Sequence, residues 1–108
     1  MITKLKTSGN GWELYFSKQL LKLLGYNPET IKLLITCESN SLIVEPIDEN
    51  ELKKYENNMI RKLQKSGGSG AGLYFPAALI SVLNLNPETD MIDVEISGNK
   101  FSVKKHIE

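Results

Sequence analysis

Two clusters of side chains in this 108-residue chain have the types and spacing for chemistry on phosphate groups and on the edges of bases. The first holds Lys4, Lys6, Thr7, Ser8 and Asn10 beside Gly9 and Gly11; the second holds Arg61, Lys62, Gln64, Lys65, Ser66 and Ser69 among Gly67, Gly68, Gly70 and Gly72. Lysine and arginine pair with phosphate, hydroxyls and bare glycine-loop amides bond phosphate oxygens, and asparagine or glutamine can address an adenine edge with two hydrogen bonds. Glycine would also let backbone approach a ligand closely. The same residues suit plainer roles: glycine and Asn10 fit any tight turn that needs positive φ, and scattered lysines fit a solvated surface.

Other chemistries are poorly provided for. The run Gly68-Ser69-Gly70-Ala71-Gly72 is rich in glycine, but no Gly-Lys-Ser or Gly-Lys-Thr follows it and no βαβ context surrounds it, which argues against a nucleotide-phosphate loop. One histidine, His106, lies near the C-terminal end, and no serine or cysteine nucleophile is set by a motif, so an enzyme is not expected. The single cysteine, Cys37, has no disulfide partner and no ligand set spaced for zinc. It reads as a small buried apolar side chain, and neither a metal nor a cofactor is expected. Thirteen basic residues balance thirteen acidic ones, so any attraction to a polyanion must come from a local patch. Apolar runs such as 33–36 and 42–44 are far too short to span a bilayer, and the N-terminus lacks a charged region followed by an apolar one. A cytoplasmic protein with no membrane partner is the expectation.

The elements that must position the two clusters come from a duplication. Residues 1–9 laid over 59–67 are identical at six of nine positions, and residues 14–30 over 73–89 at nine of seventeen, after one insertion in the second glycine loop. Leu14-Tyr15-Phe16 recurs as Leu73-Tyr74-Phe75 and Asn27-Pro28-Glu29-Thr30 as Asn86-Pro87-Glu88-Thr89. Such self-similarity marks a repeated structural unit. Each copy reads as a short strand (2–6 or 60–64), a glycine loop, an apolar strand (12–16 or 72–75), a short helix, an Asn-Pro turn and a hairpin. Ser17 suits the start of the first helix and Gly25 its stop; Pro76 and Asn84 suit the second. The hairpins run over 33–38 and 42–45, and over 91–96 and 100–104. We divide the chain into a first unit 1–47, a linker 48–58 whose alternating charges suit a solvated helix face, and a second unit 59–108. Units of this size are too small to bury a good core separately, so the halves must share one. Trp12, Tyr26 and Phe101 are expected in that core or at the seam between copies.

The pattern Gly9-Asn10-Gly11-Trp12-Glu13-Leu14-Tyr15-Phe16-Ser17, followed by a leucine-rich helix and Gly25, resembles the AbrB and MazE family of swapped-hairpin DNA-binding proteins. The second copy is similar to the same family through Phe75-Pro76, Leu79, Leu83-Asn84-Leu85-Asn86 and the final strand pair. Together the copies extend the resemblance over about nine tenths of the chain. The resemblance implies a mainly β fold with short helices, in which two units intertwine as a swapped-hairpin β-barrel. Here both units lie on one chain, which implies an intramolecular pseudo-dimer or, by exchange of units between chains, a domain-swapped homodimer.

It also implies a double-stranded DNA partner, met by Lys4, Lys6, Thr7, Ser8 and Asn10 in the first copy and by Arg61, Lys62, Gln64, Lys65, Ser66 and Ser69 in the second. Tyr15 and Tyr74 stand where the family pattern carries an arginine, so each copy has a neutral hydroxyl and a ring in place of a charged fork. Glu13 is expected to add local repulsion in the first copy. Three functions follow: a sequence-specific DNA-binding regulator acting by operator occupancy, an antitoxin that binds a toxin protein, and a protein-interaction module that keeps the fold without DNA.

Overall fold

The computed structural model describes residues 1–55, 60–65 and 70–107, and the fold is mainly β with short helices. The first copy gives β1 (Ile2–Thr3), β2 (Lys6–Ser8), β3 (Gly11–Phe16), α1 (Lys18–Leu24), β4 (Lys32–Glu38) and β5 (Ser41–Pro46). The second gives β6 (Ile60–Lys62), β7 (Gln64–Lys65), β8 (Ala71–Phe75), α2 (Ala77–Val82), β9 (Ile92–Ser97) and β10 (Lys100–Lys105). Between them a 3₁₀ helix, Glu49–Lys54, buries none of its residues. Among the described residues no helix is long and apolar enough to cross a membrane.

Local chemistry accounts for the element ends. The Ser17 side chain accepts a hydrogen bond from the Leu20 N–H at 3.2 Å, and Gly25 stops α1 in the left-handed region at φ 75°. Pro76 takes the position before α2 in an extended conformation, and Asn84 supplies the left-handed residue after it at φ 52°. Both Asn-Pro turns use one device: Asn27 Oδ1 accepts from the Glu29 N–H at 3.1 Å and Asn86 Oδ1 from the Glu88 N–H at 3.3 Å. The second turn adds Asp90, whose carboxylate accepts from the Asn86 N–H at 2.7 Å and lies 3.5 Å from Lys105 Nζ. The Asn86 N–H, and after it the Lys105 cation, hold that carboxyl below its ordinary range.

The strands form two sheets, β1-β9-β10-β5-β4-β6 and β2-β3-β8-β7, and the described strands do not close into a barrel. Each copy lends its first strand to the hairpin of the other: Thr3 pairs with Ile92, and its counterpart Arg61 with Leu33. The central pairs are equally two-fold. β3 meets β8 with Leu14 opposite Leu73, equivalent positions of the two copies, and β10 meets β5 with Ser102 opposite Ile43, again equivalents. A chain turned on itself about a pseudo-dyad through these two central pairs satisfies every one of these cross-copy pairings.

The N-terminal segment of each copy passes from the large sheet to the small one at a buried leucine, Leu5 or Leu63. The strand expected over 2–6 is therefore two strands in different sheets, and so is that over 60–64. One core lies between the sheets and draws on both copies: Leu14, Phe16, Leu33, Leu42 and Val44 with Leu73, Phe75, Leu83, Ile92 and Val103. Tyr26 and Phe101 belong to it, and Trp12 packs against it half-buried. Cys37 departs from expectation and is exposed. β6 covers β4 only at Lys32, Leu33 and Leu34, so Cys37 lies beyond the end of its cover.

Candidate nucleic-acid interface

Most of the candidate residues depend on the four-stranded sheet. Side chains alternate across a strand, so Leu14 and Phe16 of β3 and Leu73 and Phe75 of β8 turn to the core, while Glu13, Tyr15 and Tyr74 fall on the outer face. Directly paired residues share a face. The register puts Ser8 beside Gly11, Lys6 beside Glu13, Tyr74 beside Glu13, and both Tyr15 and Gln64 beside Gly72. The outer face thus gathers Lys6, Ser8, Tyr15, Tyr74 and Gln64 from both copies. Thr7 and Lys65 are dyad-related, exposed, and sit at opposite edges of the sheet in register with Trp12 and Ala71. Lys4 is exposed just before β2, and Asn10 just after it, following Gly9 at φ 58°. Lys62 is exposed at the end of β6. Ser66 and Ser69, with Gly67 and Gly68, lie outside the described residues.

The two tyrosines are fixed by contacts that residue types alone did not suggest. A Cβ placed on Gly70 would come within 2.6 Å of Tyr15 Cε1, and one on Gly11 within 2.5 Å of Tyr74 Cε1. Gly11 and Gly70 are equivalent positions, so each tyrosine ring covers a glycine of the opposite copy. A Cβ on Gly72 would lie 2.6 Å from Glu13 Cδ, and Glu13, only 6 % exposed, fills that slot. Gly11, Gly70 and Gly72 therefore make room for side chains across the seam and are not open to a ligand. Nor does Glu13 stand out as a surface charge. The signal for the burial of Glu13 was present in the repeat: Glu13 in one copy is matched by Gly72 in the other, a volume exchange that only facing strands make meaningful.

Lys6 Nζ stands 4.4 Å from the centroid of the Tyr15 ring, a cation–π geometry. The dyad-related residue of the second copy is Gln64, in register with Gly72, so the charge on this face is unequal between the copies. Arg61 is set apart from the other candidates. It lies on β6 of the six-stranded sheet, half-buried in a groove with Pro76, Ala78, Leu79 and Val82 of the α2 region.

No protein-family model matches the chain, and no curated protein and no solved structure matches it at a significant level.

Proposed function

We propose that the chain is a sequence-specific double-stranded DNA-binding regulator that acts by occupying an operator, its two copies forming an intramolecular pseudo-dimer of the swapped-hairpin barrel kind. The observation that carries this reading is the two-fold exchange of strands, which collects the polar strands β2 and β7 of both copies on one sheet. In it Lys4, Lys6, Lys62 and Lys65 meet phosphates, Thr7, Ser8, Ser66 and Ser69 bond phosphate oxygens, and Asn10 and Gln64 address bases. Tyr15 supports the charge that the missing family arginine would have brought, because its ring holds the Lys6 cation on the outer face. Arg61, in its groove, takes no part.

A protein partner, a toxin among the candidates, is the second reading. The Tyr15 and Tyr74 pair favours it, since tyrosine is enriched at protein interfaces and Tyr74 is 38 % exposed.

The deciding experiment is titration of the protein with duplex DNA from upstream of its own gene and with a random duplex of equal length, each at low and moderate salt. Tighter saturable binding to the upstream duplex is expected. Lys4→Ala with Lys6→Ala should weaken every duplex and flatten the salt slope by about 0.9 for each phosphate that the variant no longer neutralises. Absence of binding to either duplex at low salt would discard the DNA reading in favour of the protein partner.

A further inference from the structure

A groove of about 390 Å³ runs between the α2 region and the free end of β4, lined by Ile35, Thr36, Cys37, Leu79 and Val82 among others, with Arg61 its one charged residue among those described. The Arg61 Nε is shut off from solvent and has no hydrogen-bond partner, and among the described residues Arg61 is in no ion pair. An arginine that merely covers a sheet edge lays its stem on apolar surface and keeps its head in water. Here part of the head is itself out of water, which is unfavourable until an acceptor meets it.

The pseudo-dyad supplies an internal control. Positions equivalent to Arg61, Thr36 and Cys37 are Thr3, Glu95 and Ile96, so the other copy builds the same part of the fold with no guanidinium and with an acid in place of Thr36. Of these two dyad-related places, the one beside β4 carries the cation, and among the described residues its lining holds no acid.

We infer that the groove binds a small free monocarboxylate with an apolar body, its carboxylate on the Arg61 guanidinium and its body against Ile35, Leu79 and Val82. The planar fork of arginine matches the two oxygens of a carboxylate. A single lining cation suits a single negative charge, and the volume lies in the range of small-ligand pockets, roughly 300–1,000 Å³. This inference is independent of whether the protein binds DNA.

Cys37 is exposed and lines the groove, so the rate of its alkylation by iodoacetamide reports occupancy. The intact protein is titrated with benzoate and hexanoate, and with the neutral benzamide and hexanamide. Saturable protection of Cys37 by the acids is expected, with the amides at least about tenfold weaker, and with a similar loss for the acids in Arg61→Gln. Equal protection by acid and amide, or protection unchanged in Arg61→Gln, would show an apolar groove without carboxylate recognition and overturn the inference. So would absence of protection by any of the four. If Arg61→Gln failed to fold, the acid–amide comparison on the unaltered protein would still decide.

Discussion

Tyr26 shows how a single side chain sets the two copies apart. Its ring joins Phe16 and Phe101 in an aromatic cluster with centroids 5.5 to 6.5 Å apart, whereas the dyad-related positions hold Phe75, Leu85 and Leu42. Its hydroxyl donates to the Asn99 carbonyl oxygen at 2.6 Å. Burial, and after it the Glu45 carboxylate, push the phenol up to about 12 from the ordinary value of 10.0. Between those pH values the folded chain keeps a proton that the unfolded chain has lost, so this contribution is whole below pH 10 and disappears as pH rises towards about 12. Tyr26→Phe should cost about 0.5 to 1.5 kcal/mol at neutral pH by removing the hydrogen bond. It should also make the alkaline fall in melting temperature shallower. An alkaline limb of the same steepness in the variant would show that the Tyr26 hydroxyl is not what titrates there.

Residue identity alone was a poor guide to where polar groups would lie. Glu13, Cys37 and Arg61 each depart from the simplest expectation for their type, and in each case the cause is a strand from the other copy: β8 offers Gly72 beneath Glu13, while β6 stops short of Cys37 and carries Arg61 to the edge of β4.

At the scale of elements, the two helices are held by different means. α1 has a side-chain cap at Ser17 and a glycine stop, while α2 has no side-chain cap and ends on Leu83, which is 1 % exposed. Ser17→Ala should therefore cost about 1 kcal/mol and Leu83→Ala about 2 to 5 kcal/mol in urea denaturation. Comparable losses for the two would mean that the helices are not held by different means. Helix ends, Asn-Pro turns and hairpins were legible because each is governed by residues a few positions apart. The division of 2–6 and 60–64 between two sheets was not, since no residue between Thr3 and Lys6 marks the change of partner, from Ile92 in one sheet to Glu13 in the other. Of the candidate interface, the duplicated polar strands were readable from the repeat; the seating of Tyr15 and Tyr74 on the opposite copy's glycines required the register.

For the whole molecule, the cross-copy pairings make neither half complete. β1 has its partner in β9 and β6 in β4, and one core draws on residues of both copies. When such partners are joined on one chain, their association is set by a local concentration on the order of millimolar and not by the bulk concentration. The melting temperature of the intact chain should therefore stay constant over about a hundredfold range of protein concentration. Differential scanning calorimetry across that range is the check; a melting temperature that climbs with concentration would show that the copies pair between chains.

The seam between β3 and β8 also has an optical consequence. Trp12, the chain's one tryptophan, lies half-buried at the end of that seam, opposite Phe75 of the other copy. Indole emission shifts to longer wavelength when water reaches the ring, so the native fluorescence of this protein is a label placed by the sequence itself at the join. It reports the parting of the two copies even where each keeps its own hairpin.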